Sequence, residues 1–420
     1  MINLFVVHSQ IEEQNSVKKR TNELVRKLID NITDLDFKGY FNQQEYLQKY
    51  FQDNADLKNA TIILNTSGGT EQLIDLITQK VESPVLIISD SARNSFASAM
   101  EAYSYLKDSY AVKIFYAEND LQKIEETEMF TSVVNSIAFI NNAHFGLIGK
   151  PSDWLLTSRE FTNFGNFNTR FTKFEVDRIV NEVNKVAEND ATAIVESWTK
   201  NYDDILVDNK AMIDSAKVYL AISKFVEENN LQVLSIRCFD LLQYNYTACM
   251  GLSICNDEGI TSGCEGDIPT TFTMLIAQQL TGEPAWMANP SSVKKDKNQI
   301  IFAHCTVPSK FLKNEKEAGL TTHMESGLST AIRGQLKKSV VTIMRIGNRF
   351  DRIVAVTGKI IDSDMQEENL CRTQAVVEID GDVYKWIEAA MGNHQVIVYG
   401  NIIRELEYFC DFSGVELIRI

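Results

Sequence analysis

Residues 60–71, ATIILNTSGGTE, join a short apolar run to a glycine-containing turn, and a helical pattern continues from there to Val81. The same alternation is repeated on both sides of this stretch. Short apolar runs that alternate with amphipathic helices are typical of βαβ units around a parallel sheet. We therefore predict an α/β domain over residues 1–143. Its further predicted elements are strands at Ile2–His8, Pro84–Ser89 and Val112–Tyr116 and helices at Ile11–Ile32 and Ser91–Leu106.

A second α/β domain is predicted over residues 144–295. It begins with the apolar run Phe145–Gly149, and Leu231–Cys238 and Gly251–Cys255 are predicted as further strands. After about residue 295 the pattern becomes rich in strands separated by turns, which predicts a barrel-like domain over residues 296–420. The fold class is thus α/β, with two doubly wound parallel-sheet domains followed by a β-rich domain. The strands predicted in that last domain are Ile300–Thr306, Ser339–Ile346, Ile353–Ile361, Gln374–Ile379 and Gln395–Tyr399.

The charge and composition limit the classes of partner. The 420 residues carry 41 Lys and Arg against 57 Asp and Glu, a net charge of −16. Nucleic acids and anionic membranes attract clustered basic residues, so neither is expected as a partner. No apolar stretch reaches the roughly 20 residues of a membrane span. The seven cysteines form no CxxC pair, which disfavours a zinc ribbon and a thioredoxin-type site. A disulfide framework is not expected in a chain this long, and a reducing cytoplasm is the predicted location.

Two glycine turns follow predicted strands, SGGTE at 67–71 and GKPSDW at 149–154. Either could bind a phosphate through backbone N–H groups at a helix N-terminus. Neither has the Walker A spacing, and GxGxxG is absent. Strand-to-helix turns are therefore favoured over nucleotide sites.

The densest group of reactive side chains lies between Cys255 and Asn289. Here a predicted strand ends in Gly-Cys-Glu-Gly-Asp, and a helix with an early proline follows. Glu265 would project from the carboxyl end of that strand, where open α/β sheets bind ligands. Its flanking glycines allow a ligand to approach closely, which favours a functional role. Asp267 is a candidate for catalysis and equally for an ordinary helix N-cap.

Histidines are rare, with five in the chain, and three of them fall in the last 120 residues. His304 ends one predicted strand and His394 begins another, while His323 lies near Glu325 in a polar turn. Carboxylate and imidazole ligands without a CxxC suit Mn²⁺ or a similar divalent ion. A lone histidine after an apolar run can also be a buried core residue whose hydrogen bonds are satisfied within the protein.

The order Glu265, Asn289-Pro-Ser-Ser, His304 and Gly392-Asn-His394, followed by a helix and a final strand, resembles the L-fucose isomerase / L-arabinose isomerase superfamily. The resemblance is best over residues 230–420. It implies two α/β domains with a β-rich third domain, conversion of aldoses to ketoses, a sugar as the small-molecule substrate, and assembly as homotrimers or hexamers.

The resemblance also implies roles for single residues. Glu265 resembles the first catalytic carboxylate, which also binds metal, and His304 and His394 resemble metal ligands. Asn289 stands where the family has a second acidic ligand and base, and an amide accepts no proton as a carboxylate does. Asp267 or Glu325 could supply the missing carboxylate. The resulting hypothesis assigns catalysis to Glu265 and Asp267, metal binding to Glu265, His304 and His394, and substrate binding to Asn289, His323, Glu325, Arg372 and Asn393.

Because Asn289 replaces the expected second carboxylate, the sequence is also compatible with other functions. A sugar-binding protein without isomerase activity is one alternative, and a lyase or epimerase that uses the same metal ligands is another. Retained metal would separate the enzymes from the binding protein, and product analysis would separate isomerase from lyase. For Arg372 and His323, a structural salt bridge or turn contact is as compatible with the sequence as substrate recognition.

Overall fold

The structure is a computed structural model, which describes residues 1–54 and 57–420. The chain divides into two compact units, Met1–Asn135 and Ser136–Ile420. The predicted fold class is confirmed: parallel-sheet α/β layers are followed in the chain by an antiparallel barrel. The domain boundaries at 143 and 295 remain a prediction. None of the described helices is long and apolar enough to cross a lipid bilayer.

The first unit contains a five-stranded parallel sheet. Its strands are β1 (Ile2–Val7), β2 (Leu35–Phe41), β3 (Thr61–Asn65), β4 (Val85–Ser89) and β5 (Val112–Tyr116). They lie in the order β2-β1-β3-β4-β5, which is the doubly wound arrangement. All residues of β1, β3 and β4 are buried, as expected for inner strands of a parallel sheet. The helices are α1 (Gln14–Asn31), α2 (Gln44–Asp53), α3 (Glu71–Val81), α4 (Ser95–Leu106) and α5 (Asp120–Asn142), the last of which carries the chain into the second unit.

The second unit begins with a four-stranded parallel sheet. Its strands are β6 (His144–Ile148), β7 (Arg170–Phe174), β9 (Val233–Ile236) and β10 (Thr261–Cys264), in the order β10-β9-β6-β7. A small sheet joins β8 (Asp204–Ile205) to β13 (Gly319–Thr321) and β14 (Ala331–Arg333). The helices of this unit are α6 (Leu156–Arg159), α7 (Val176–Lys185), α8 (Glu188–Asn201), α9 (Asn209–Glu228), α10 (Cys249–Asp257), α11 (Ile268–Thr281), α12 (Val383–Glu388) and α13 (Ile403–Ser413).

The barrel has six antiparallel strands. They are β11 (Trp286–Lys294), β12 (Gln299–His304), β15 (Val340–Ile346), β16 (Arg352–Ser363), β17 (Thr373–Ile379) and β18 (Gln395–Tyr399). The order is β15-β18-β11-β12-β17-β16, and pairing of β16 with β15 closes the ring. A further strand, β19 (Glu416–Arg419), joins β16 in parallel. Closure leaves no free sheet edge in the ring, and buried residues such as Trp286, Phe302 and Ile343 belong to its core.

Most predicted strands and helices match the structure to within a few residues. One was wrong: Gly251–Cys255, predicted as a strand, belongs to α10. That helix is buried along nearly its whole length, and periodicity cannot distinguish a short, wholly apolar run in a buried helix from a strand. Several elements were not predicted, among them β2, α2, β7 and the small sheet of β8, β13 and β14. The sequence of β2, LDFKGYF, mixes polar and apolar residues because it forms a partly buried edge strand.

Candidate metal centre and active site

A tight turn at the end of β10 positions the predicted catalytic carboxylate. Glu265 and Gly266 follow the strand with φ angles of +62° and +69°. A side chain at Gly266 would be 2.8 Å from the carbonyl oxygen of Lys150, which explains the glycine. Asp267 then caps α11, because its side chain accepts a hydrogen bond from the Thr270 N–H at 3.1 Å. Glu265 is thereby placed at the carboxyl end of a parallel strand, as predicted.

Three predicted metal ligands come together. Glu265, His304 and His394 each offer an atom, and these atoms all lie within 4.8 Å of one another. All three residues are buried. Strand register contributes to this grouping: His304 ends β12 and His394 immediately precedes β18, and both strands pair with β11 between them. It is the one group of three or more such side chains found among residues 1–54 and 57–420.

The ring of His394 has one nitrogen held and one nitrogen free. Its Nδ1 donates a hydrogen bond to Asp267 Oδ2 at 2.8 Å. Its Nε2 is buried without a hydrogen-bond partner and lies 3.6 Å from Glu265 Oε1. Because Asp267 holds Nδ1, Nε2 is the ring nitrogen that remains for a metal ion, which is the arrangement that metal-binding histidines take.

Asp267 belongs to a buried polar network, and both of its oxygens are engaged. Besides His394 and Thr270, it accepts a hydrogen bond from Ser158 and pairs with Arg345 at 3.3 Å. Arg345 is 1% exposed and also donates to the backbone oxygen of His394 at 2.6 Å. The network therefore fixes His394 through both its ring and its backbone.

The ionisation of these groups follows from burial and from their charged neighbours. Burial favours a neutral Asp267, but the Arg345 charge and the His394 hydrogen bond hold its pKa well below the usual range. Burial also favours a neutral His394, yet its hydrogen bond to Asp267 and the negative charges of Asp267 and Glu265 raise its pKa to about 9. In Glu265 the effect of burial is outweighed by the positive charge of nearby His394 and by the Trp154 hydrogen bond, so its pKa is lowered. The site thus stabilises a positively charged His394 beside an ionised Glu265.

The pKa of His304 is shifted in the opposite direction to that of His394. Burial, with a further contribution from the His394 charge, lowers its pKa to about 4. Its Nδ1 lies 2.8 Å from Thr306 Oγ1, and its ring meets the His394 ring edge to face at 5.4 Å. A neutral imidazole is the form that binds a metal ion.

Trp154 is a site residue that the sequence analysis did not assign. Its indole N–H donates to Glu265 Oε2 at 2.6 Å, and its ring packs edge-on against Phe239. Half of Trp154 is exposed, so it lies where the buried site meets solvent. A bulky aromatic residue in the GKPSDW turn, after a parallel strand, was the signal that could have identified it.

Arg345 was also missed. It lies on β15 within the apolar sequence VVTIMRI, and a cation inside a buried strand requires an anionic partner. The sequence shows that anomaly, but it does not show which carboxylate is the partner.

The predicted substrate-binding residues fall into two groups. Asn289 and Asn393 interact at 3.5 Å, and Asn289 lies on β11 opposite Ala303, the neighbour of His304. The second group comprises His323, Glu325 and Arg372. Arg372 donates to the backbone and side chain of Thr322 at 2.8 and 3.2 Å, which steadies the turn that follows.

Within that turn, His323 is buried and its ring is 5.9 Å from Phe239, while Glu325 is exposed. Phe239 also packs against Trp154, which donates to Glu265, so the turn lies beside the candidate metal centre.

Sequence comparisons show which known proteins the chain is similar to. The chain is 26% identical over 243 residues to a sulfoquinovose isomerase of Clostridium sp. (strain MSTE9), covering 55% of the chain and 52% of that protein. It is 22% identical to a sulfoquinovose isomerase of Priestia aryabhattai, covering 66% and 64%. It is 21% identical to an L-arabinose isomerase of Mannheimia succiniciproducens, covering 58% and 53%.

Its homologues belong to the L-fucose/L-arabinose isomerase superfamily. The resemblance predicted from the sequence is thereby confirmed. In these matches the chain spans about half to two thirds of the length of the relatives. No protein-family profile matches the chain.

Proposed function

We propose that the protein is a metal-dependent aldose–ketose isomerase that acts on a sugar or sugar derivative through an enediol. The observation that carries this proposal is the buried group of Glu265, His304 and His394, whose ligand atoms lie within 4.8 Å of one another. The relatives named as sulfoquinovose and L-arabinose isomerases support the same reaction class.

The donor set fits a divalent cation. Two atoms that are each about 2.2 Å from one ion are at most about 4.4 Å apart, so the observed spacing requires little closure. The unpartnered Nε2 of His394 is buried, and an unsatisfied buried nitrogen is unfavourable unless something binds it. One carboxylate with two imidazoles suits manganese, which we propose as the ion. A bound divalent cation supplies Lewis-acid stabilisation of charge on neighbouring sugar oxygens.

Glu265 is proposed as the base. Its Oε1 faces the His394 side and its Oε2 is held by Trp154, so the carboxylate keeps one orientation. In that position it removes the proton from C2 of an aldose and returns a proton at C1. General acid–base help of this kind accelerates a reaction by roughly 10²–10⁴-fold.

Asp267 is proposed to act through His394. Because both carboxylate oxygens are already engaged in hydrogen bonds, Asp267 can hold the His394 tautomer without contacting the substrate. His304 is neutral and can bind a metal ion directly, whereas His394, with its raised pKa, would release its Nε2 proton on metal binding. Asn289 and Asn393 are proposed to bind sugar hydroxyls, as are His323, Glu325 and Arg372.

Asn289 supports a second candidate function. It cannot accept a proton, so a protein that binds sugars at this site without turnover is the alternative. The two candidates differ in one observable property, since only the enzyme exchanges a carbon-bound hydrogen of the sugar with solvent.

Other properties are proposed from the resemblance alone. We expect a homo-oligomer of three or six subunits in the cytoplasm. Size-exclusion chromatography with light scattering measures the first property.

The test begins with elemental analysis of the purified protein before and after incubation with Mn²⁺. Glu265→Gln and His394→Ala are compared with His144→Asn, which changes a buried histidine on β6 outside the cluster. We expect near-stoichiometric metal in the native protein and in the control, and reduced metal in the other two. A native protein that stays metal-free after incubation with Mn²⁺ would contradict the mechanism.

Activity is then measured by NMR in D₂O with sulfoquinovose, L-arabinose and L-fucose. We expect ketose formation with at least one aldose and a loss of at least a hundredfold in kcat for Glu265→Gln. Normal turnover in that variant would exclude Glu265 as the base. Sugar binding without any exchange would favour the binding protein instead.

A further inference from the structure

Cysteines adjoin two of the candidate metal ligands in the sequence. Five of the seven cysteines make contacts with one another: Cys238 meets Cys264, and Cys305 meets both Cys249 and Cys371. Cys264 directly precedes Glu265, and Cys305 directly follows His304. The proposed isomerase mechanism uses none of these thiols, so their grouping requires another explanation.

The tightest of these contacts joins Cys238 and Cys264. Their Sγ atoms are 3.0 Å apart, and both residues are buried. Cys264 is the last residue of β10, and Cys238 lies two residues beyond the end of the neighbouring strand β9. Parallel pairing of these strands brings the two side chains together at the end of the sheet where Glu265 lies.

A thiolate metal site does not account for the cluster. Soft-metal sites need three or four sulfur or nitrogen ligands around one ion. Among residues 1–54 and 57–420, the one group of three such side chains within reach of one ion is the Glu265, His304 and His394 set, which contains no cysteine. Cys238 and Cys264 meet as a pair, which is what a disulfide requires, whereas Cys305 contacts both Cys249 and Cys371.

We propose that Cys238 and Cys264 form a reversible disulfide on exposure to peroxide, and that this bond weakens the metal centre. Closure shortens the Sγ–Sγ distance from 3.0 Å to about 2.05 Å, a movement of roughly 1 Å. The peptide bond of Cys264 transmits that movement to Glu265, whose carboxylate is otherwise held by Trp154.

The chemistry balances with hydrogen peroxide as the oxidant. The Sγ of one cysteine attacks the O–O bond, which breaks, and gives a sulfenic acid and one water. The Sγ of the other cysteine then attacks that sulfur, the S–S bond forms, and the oxygen leaves as a second water. Two thiols lose two electrons and two protons, and one peroxide is reduced to two waters. A thiol reductant such as dithiothreitol reverses the step.

The first test is independent of the proposed function. The purified full chain is treated with hydrogen peroxide, blocked with iodoacetamide, digested without reduction and mapped by mass spectrometry. Before blocking, we expect an intact mass lower by about 2 Da, and after digestion a peptide pair joining Cys238 to Cys264. Cys238→Ser should abolish this cross-link, whereas Cys410→Ser on α13 should retain it.

Several outcomes would overturn the proposal. These are an unchanged mass, a gain of oxygen atoms without a cross-link, and a bond from Cys305 to Cys249 or Cys371 instead. If Cys238→Ser fails to fold, Cys238→Ala and Cys264→Ala provide the same test.

The second test measures the effect on the metal centre, and this part rests on the proposed function. Mn²⁺ affinity is measured by calorimetry on reduced, oxidised and re-reduced protein. We expect an affinity at least tenfold weaker after oxidation, restored by dithiothreitol, with no change in Cys238→Ser. If the cross-link forms and the affinity does not change, the regulatory role is wrong. If the reduced protein binds no Mn²⁺, the proposed function fails while the disulfide stands on the first test.

Discussion

Replacing Gly392 with alanine should damage the metal centre without changing any ligand. A Cβ at this position would lie within 2.6 Å of Nη2, Cζ and Nε of Arg345. Ordinary packing does not tolerate such distances, so the guanidinium must move. Arg345 is 1% exposed, and solvent cannot receive its charge. Its displacement would disturb both Asp267 and the backbone of His394.

The size of the effect follows from these contacts. Inserting a methyl group into a packed interior costs about 1–3 kcal/mol. Breaking a buried ion pair costs about 3–5 kcal/mol, and a shifted Arg345 loses part of its pair with Asp267. We therefore expect Gly392→Ala to lower the free energy of unfolding by about 2–4 kcal/mol. Loss of the support for His394 should weaken Mn²⁺ binding by about 10–100-fold.

Urea denaturation and Mn²⁺ calorimetry measure the two effects. Gly400→Ala is the matched control, because Gly400 also has a positive φ, +96°, and a Cβ there would have no neighbour within 4 Å. That variant should show only backbone strain, about 1 kcal/mol, with unchanged metal binding. The reasoning would be refuted if Gly392→Ala were no less stable than Gly400→Ala and bound Mn²⁺ as the native protein does.

Three further predictions follow from the site and from one buried histidine outside it. Asp267→Asn leaves the buried Arg345 charge uncompensated, so denaturation should show a loss of about 3 kcal/mol and calorimetry a 10–100-fold weaker Mn²⁺ affinity; native-like values would exclude the positioning role. Trp154→Phe removes the hydrogen bond to Glu265, and steady-state kinetics should show kcat about tenfold lower with an unchanged circular dichroism spectrum. Burial lowers the pKa of His144, so the unfolded chain takes up a proton below about pH 6.5 that the folded protein does not bind, and stability should fall as the pH drops below that value. His144→Gln should flatten this part of the stability profile, and an unchanged slope would count against the assignment.

Much of the fold could be predicted because the signal is local. Apolar runs such as Ile2–His8 and Pro84–Ser89 are buried strands in the structure, since alternation with amphipathic helices already indicates βαβ units. Prediction from the local apolar pattern failed at Gly251–Cys255, because only the tertiary structure shows that this run belongs to a buried helix. It also missed β2, an edge strand whose partly polar sequence has no apolar run.

The candidate ligands could be identified by residue type, but the roles of their neighbours could not. Glu265, His304 and His394 were selected as oxygen and nitrogen donors at strand ends. Asp267 was equally compatible with catalysis and helix capping. The structure shows that it caps α11 and also bonds to His394, because Arg345 and His394 reach it from distant parts of the chain.

The amino-acid sequence by itself determined the alternation of strands and helices, the change to a β-rich region, and the supply of one carboxylate and two histidines for a metal ion. Tertiary structure decided that these three side chains meet, that Arg345 and Asp267 hold one of them, and that Cys238 lies 3.0 Å from Cys264. The physical reason is the range of the interactions. Hydrophobic periodicity acts over a few residues, whereas barrel closure and strand register join segments far apart in the chain.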